Sequence, residues 1–350
     1  MKANPVKEKL FRISESKAKK LSLVLIGAVF ILILLFVLII ALNPKGYSVV
    51  TYSFNTYVSQ RIYGSNAEET AEKAADAVAK IEDLLSFEGE NSEVALINKN
   101  AGDKWTLLSD LSFSILSEAK RLSEFTGGDF DITAASVTRL YKFGENFSVP
   151  DKDLIEKYKD HIDYNELRLN SEEKSASFAH FGYALDLDKV LFGAACDAAV
   201  EIYEREKVES ASVVIGDTMG IMGDRDWEIS VNTPEGDGEL GVIKIKKGFI
   251  STESKYESYN ICENKEYHSI IDPKTGYPVN NKLESVTVMA ESGLEAQALC
   301  YAAFVKGYNQ SLSMLEDANA FAVFVFDDNT VRIFGETGVF TLTNENYKMR

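Results

Sequence analysis

The chain has 350 residues, 45% hydrophobic and 26% charged, with no low-complexity tract, so it is not a disordered protein and can bury a sizeable core in one large domain or two closely joined ones. Its formal charge of −17 excludes a nucleic-acid partner, because phosphate backbones are held by clustered Lys and Arg. A polyanionic ligand would need local help from a bound cation, a helix N-terminus or backbone amides.

Residues 1–20, MKANPVKEKLFRISESKAKK, carry seven Lys/Arg against two Glu and read as a basic tail. Residues 21–42 follow without a charge or a proline, and a run of that length at helical rise crosses a ~30 Å hydrocarbon core. A cleaved signal peptide would have an apolar region of about 7–15 residues and a small-residue cleavage site, whereas this run is longer and ends LIIALNPK. The positive-inside rule puts residues 1–20 in the cytoplasm and residues 43–350 outside, which describes a single-pass protein of the cell membrane with an extracytoplasmic C-terminal domain. No cysteine stands near the end of the run to carry a lipid.

Residues 47–62, YSVVTYSFNTYVSQRI, are rich in β-branched and aromatic types and read as strand, and residues 66–85 then carry apolar positions at helical spacing. Further helices are expected over residues 108–125, 190–204 and 294–307, the first running into Gly127-Gly128, which suits a helix C-terminus. Strand-like stretches fall at residues 211–215, 227–231, 241–245, 285–289 and 321–326. Helices and strands mix without strict alternation, so the fold class is α+β, with no internal repeat and no separating linker. Cys196, Cys262 and Cys300 are an odd number at spacings that fit no zinc pattern and read as buried small hydrophobes.

Residues 126–133, TGGDFDIT, form a polar turn with Asp131 and Thr133 whose backbone could approach a ligand; a simple helix C-cap is the competing reading. In residues 267–279, YHSIIDPKTGYPV, a strand enters a tight turn with Asp272 placed to bond backbone amides and Gly276 free to take a positive φ. Residues 283–307 read as a strand followed by a helix rich in small residues.

Taken in order, these segments resemble the ApbE-like FAD:protein FMN transferases. That family's pattern is S-E-x-x-x-x-N, T-G-G-x-F-D-x-T, D-L-G-G-I-A-K-G-x-x-x-D, a G-G strand end, T-S-G-x-Y, H-I-x-D-P-x-T-G-x-P, then V-T-V and A-D-A-x-x-T-A-x-F-x-x-G. The corresponding stretches here are residues 92–98, 126–133, 186–197, 216–217, 252–256, 269–278 and 286–307. The resemblance implies one large T-fold-related domain with mixed sheets and packed helices. It also implies FAD as substrate or ligand, magnesium on the pyrophosphate, and transfer of FMN to a Ser or Thr of a partner flavoprotein, membrane-associated or exported, with release of AMP. Cofactor-binding roles then fall on Phe130, Asp131, Thr133, Asp186, Gly193, Gly216, Thr252, Thr275 and Gly276, and a catalytic role on Asp272.

The departures from the pattern concern chemistry. Gln297 and Tyr301 stand at the family's metal-ligand positions in place of Asp and Thr, Phe192 stands in place of the catalytic Lys, and Ser269 in place of the His. A neutral carbonyl replaces a carboxylate and a ring replaces a small hydroxyl, so magnesium is expected to be weak or absent and transfer weakened or lost. The alternative function is a non-catalytic flavin-binding or partner-binding module on the same fold. Glu253 and Asp217 put side chains where the family has Ser and Gly. Lys189, three residues before Phe192, would share its helical face and could compensate. His268 points to the opposite side of its strand from Ser269 and reads as a partly exposed surface histidine.

A tag at Met1 of the intact cell's protein is expected to resist externally added protease while the region after Pro44 is digested. Recovery of a soluble form lacking residues 1–42 would contradict the anchor.

Overall fold

A computed structural model describes residues 46–144 and 146–350, of which Tyr47–Arg350 form one compact unit. The basic tail and the apolar run at residues 21–42 lie outside the described residues. Among the described residues no helix is long and apolar enough to cross a membrane.

The first stretch corrects the sequence reading. Residues 47–62 make a hairpin, β1 (Tyr47–Ser53) and β2 (Thr56–Tyr63), rather than one strand. The turn residues Phe54 and Asn55 both have positive φ, 52° and 55°, the backbone of a tight hairpin turn. Phe is a poor signal for that conformation, and residues rich in β-branched and aromatic types continue on both sides of it.

Next come α1 (Ala67–Leu85), α2 (Glu93–Lys99), β3 (Thr106–Leu107), α3 (Asp110–Phe125), α4 (Ala135–Thr138) and α5 (Lys152–Lys159). β4 (Leu167–Asn170), β5 (Ser175–Phe178) and α6 (Asp188–Arg205) complete the first half. α3 starts two residues later than its apolar spacing suggests, because the Ser109 hydroxyl accepts the Ser112 N–H and caps it. The second half holds β6 (Ser210–Ile215), β7 (Thr218–Gly223), β8 (Trp227–Asn232), β9 (Glu239–Ile245) and β10 (Gly248–Ser254). It continues with β11 (Tyr259–Cys262), β12 (Lys265–His268), β13 (Leu283–Ala290), α7 (Gly293–Lys306) and α8 (Tyr308–Asp317). β14 (Phe321–Phe326), β15 (Thr330–Phe334), β16 (Phe340–Leu342) and β17 (Lys348–Met349) end the chain.

A nine-stranded sheet in the order β1-β2-β6-β7-β10-β13-β14-β15-β17 is the backbone of this α+β domain. Its strands pair antiparallel except β15 with β17. β14 shows why the sheet is sandwiched. Ala322 and Phe324 belong to the core shared with α1, α6 and α7, while Phe321, Val323 and Val325 belong to a second core with the small sheet β16-β9-β8. A continuous apolar run, FAVFVF, therefore alternates between two buried faces.

α6 and α7 cross backbone to backbone. A Cβ on Gly193 would overlap the Gly293 carbonyl, and one on Gly293 would overlap that of Gly193. Polar groups lock the crossing. Asp197 on α6 caps α7 by accepting from Gly293 N (2.6 Å) and Leu294 N (3.0 Å), and Gln297 Oε1 on α7 accepts from Gly193 N (2.8 Å).

Ala favours a helix over Gly by about 1 kcal/mol, yet Gly193→Ala is expected to destabilise the protein by about 2 kcal/mol in urea unfolding, because the backbones must separate. Gly238→Ala, where an added Cβ meets nothing within 4 Å, is the near-neutral control. A stabilised Gly193→Ala would show that the crossing is loose.

Candidate functional site

The motif segments are drawn together by their own backbone bonds. Asn98 brackets Leu185, its Oδ1 accepting Leu185 N (2.7 Å) and its amide donating to Leu185 O (2.9 Å). Asp186 N then donates to Ile132 O at 2.8 Å, which sets the start of α6 beside the 126–133 turn. In that turn Asp131 accepts from Thr133 N, Thr133 Oγ1 and Tyr164 N at 2.8, 2.6 and 3.1 Å, and burial raises its carboxyl above the usual range. Thr133 Oγ1 also accepts from Asp163 N.

The 272–276 turn is tied to the same place. Asp272 accepts from Lys274 N (2.9 Å) and Thr275 Oγ1 (3.1 Å), and its carbonyl accepts from Gly276 N (2.8 Å). Gly276, with φ 75°, lies against Ile155 and Val137, and its carbonyl accepts from the Tyr141 hydroxyl. Lys274 and Lys306 both pair with Asp129. Asp272, Thr275 and Gly276 thus build the turn, and none of the three lines the cavity described next.

A cavity of about 460 Å³ opens where these segments meet, walled by Phe130, Asp131, Arg139, Asp186, Lys189, Ser269 and Tyr301. His268 is absent from its lining, as strand alternation requires. Arg139, which the sequence reading did not single out, lies over the Phe87 ring (4.0 Å to its centroid) and reaches Asp186 (2.9 Å), Asp188 (2.5 Å) and Glu88 (3.1 Å). Burial and the neighbouring Asp188 push the Asp186 carboxyl up to about 6 against the pull of Arg139. A second cavity, about 400 Å³, is lined by Gly216, Asp217, Thr252, Ser254, Glu257 and Thr287 among others, and no Lys, Arg or His faces it.

Between the two stands a pair of side chains. Lys189 Nζ lies 3.3 and 3.2 Å from the two oxygens of Glu253, which sits on β10 between Thr252 and Ser254. The same ammonium is 5.6 Å from the Tyr301 ring centroid. Burial opposes its charge, but Glu253 and then Glu257 outweigh that effect and hold Lys189 protonated, while burial also raises the Glu253 carboxyl against the pull of Lys189. Partial burial and the nearby Glu257 and Glu253 push the half-buried Asp217 carboxyl well above the usual carboxylate range. One turn along α6, Phe192 does not share this position. Its ring fills the space over Gly216, where any Cβ would strike it, and meets Phe54 edge to face at 5.8 Å.

The residues at the two side-chain positions where the resemblance implies magnesium do not fit that ion. The Gln297 carbonyl is spent on Gly193 N. The Tyr301 hydroxyl donates to Ile271 O (2.6 Å) and accepts from Ile271 N (3.1 Å), and the side chain is buried. Among the described residues no group of three His, Cys, Asp or Glu is arranged to hold a metal.

Two surface expectations are corrected. His268 is buried, not partly exposed: Phe304 of α7 packs on it, and its Nε2–H donates to Val279 O at 2.9 Å. Nδ1 is left a bare lone pair without a partner. Cys196 and Cys300 are buried as expected, but Cys262 lies on the β11–β12 ribbon and is half-buried.

Burial lowers His268 from 6.5 to about 4, opposed only partly by Val279. The unfolded chain therefore binds the extra proton between those values, so the contribution is fully present above pH 6.5 and is lost as pH falls toward 4. Wild type should lose about 3 kcal/mol more than His268→Gln across that window in urea titrations. Parallel curves for the two proteins would contradict the burial.

The chain's similarity to known proteins covers most of this unit. The family model described as "ApbE family" matches residues 54–325. The chain is 25% identical over 313 residues to the "FAD:protein FMN transferase" of Treponema pallidum (strain Nichols), covering 82% of this chain and 86% of that one. It is 27% identical over 265 residues to the protein of the same name from Klebsiella pneumoniae (strain 342), covering 74% and 83%. The crystal structure of the ApbE protein from Thermotoga maritima superposes with a TM-score of 0.77 at 27% identity, over 84% of this chain and 98% of that one. The flavin transferase ApbE from Vibrio cholerae, at 19% identity and a TM-score of 0.74, shares the fold.

Proposed function

Because the chain belongs to the ApbE family, we propose that it is a membrane-anchored FAD:protein FMN transferase, passing the FMN part of FAD to a Ser or Thr of a membrane-associated or exported flavoprotein and releasing AMP. One observation carries the reading. Phe130 and Asp131, Asp186, Ser269, and Tyr301 come from four separate motif segments and wall one cavity. In the transfer, the acceptor oxygen bonds to the FMN phosphorus, the bond from that phosphorus to the AMP oxygen breaks, the electron pair leaves with AMP, and the hydroxyl proton passes to water. Such a step depends on positioning and charge neutralisation more than on covalent chemistry. The apolar run at residues 21–42 supports the anchor and an external acceptor.

A second reading, flavin held without turnover, is supported by the spent Gln297 and Tyr301 and by Ser269 and Phe192 at the family's His and Lys positions. Full-length protein in detergent, incubated with FAD and an acceptor, separates the two. Slow AMP release is expected from wild type. The fourfold change Gln297→Asp, Tyr301→Thr, Phe192→Lys and Ser269→His is expected to raise it about 100-fold in the presence of magnesium. Retained FAD with no AMP would favour the second reading. Rapid magnesium-dependent release by the unmodified chain would show that the substitutions cost nothing.

A further inference from the structure

Two departures from the family pattern make sense only together. Lys189 stands where the pattern has its second Gly, and Glu253 stands where it has the Ser of T-S-G. They come from elements 64 positions apart and meet as an ion pair whose two ends differ in exposure: the Glu253 side chain is 1% exposed and the Lys189 side chain 34%. The buried carboxylate fixes the ammonium, and the Lys189 side chain lines the cavity together with Ser269 and Tyr301, its three-donor ammonium not exhausted by one carboxylate. That is next to the position from which Gln297 and Tyr301 have been withdrawn by their bonds to Gly193 and Ile271.

The geometry points to Lys189 as the fixed cation of this site, meeting the diphosphate of FAD directly, so that this chain binds the dinucleotide without a divalent metal. The inference rests on the flavin-dinucleotide reading above. It goes further by assigning the charge-neutralising role to a residue of the chain. Arg139 is the cavity's other strong cation, but its guanidinium is already committed to Asp186, Asp188 and Glu88. The acids lining the cavity, Glu88, Asp131, Asp186 and Asp188, outnumber its cations, Arg139, Lys142 and Lys189. Affinity for the diphosphate is therefore modest, sensitive to salt, and dependent on direct contact with the ammonium.

The test uses full-length protein in detergent, with FAD and riboflavin as probes followed by quenching of flavin fluorescence, and with magnesium alone followed by calorimetry. FAD should bind equally, within about twofold, in EDTA and in excess magnesium, and magnesium alone should give no saturable heat. Lys189→Met should weaken FAD about tenfold or more while leaving riboflavin, which has no phosphate, unchanged, and Lys189→Arg should retain most of the FAD affinity. Because Lys189→Met leaves Glu253 buried without its partner, the double change Lys189→Met with Glu253→Gln is measured beside it and should show the same selective loss. A requirement for magnesium in FAD binding, or FAD affinity undiminished in the double variant, would overturn the assignment while leaving the flavin reading intact. Failure of wild type to bind either flavin would overturn both.

Discussion

The contact between Gly193 and Gly293 governs what the rest of the molecule can do. With no side chain between them, α6 and α7 share backbone surface, and their polar groups must be satisfied across the seam rather than by water. Asp197 satisfies the first N–H groups of α7 and Gln297 satisfies Gly193. The N-terminal turn of α6, with Lys189 and Phe192, is thereby set against the middle of α7, with Gln297 and Tyr301. Gln297 is itself part of that seam, so a change there acts on the packing of both helices.

Seen in this way, the departures from the family pattern form two groups. Phe192 over Gly216, Tyr301 on Ile271 and Gln297 on Gly193 each close a space or consume a polar group internally, and each increases packing at the expense of ligand access. Lys189 and Glu253 instead introduce charge where none stood. Gln297 and Tyr301 remove a metal's ligands, Phe192 removes a lysine, and Lys189 supplies a cation in their place, which is why the site can lose its metal positions and still face an anion.

The sequence made the scaffold readable because spacing and caps report on local geometry. The long helices and the β6, β8, β9, β13 and β14 strands fall within two residues of the expected bounds, and the DPKTG turn bonds as its residue types require. What it did not reveal depends on neighbours distant in the chain. The hairpin turn at Phe54-Asn55 lacks the usual glycine. Alternation on β12 correctly turned His268 away from the cavity but says nothing of what lies over it, which is Phe304 of α7. The partnership of Lys189 with Glu253 is likewise invisible along the chain, as is the use of Phe192 to cover a glycine on another element. Arg139 passed unremarked because its carboxylate partners come from three different positions around the cavity.

The unequal exposure of the Lys189–Glu253 pair also constrains its history. A lysine in the first turn of a helix with a third of its side chain in water is tolerable alone, since it can extend into solvent. A glutamate almost wholly enclosed on a central strand is not, because an unpaired buried charge costs several kcal/mol. The lysine-first intermediate is therefore the less costly route to the pair, since a glutamate enclosed alone would have to be held protonated. The same asymmetry makes the pair hard to reverse: once Glu253 is in place, loss of the lysine carries the larger penalty, and the glutamate has to leave first.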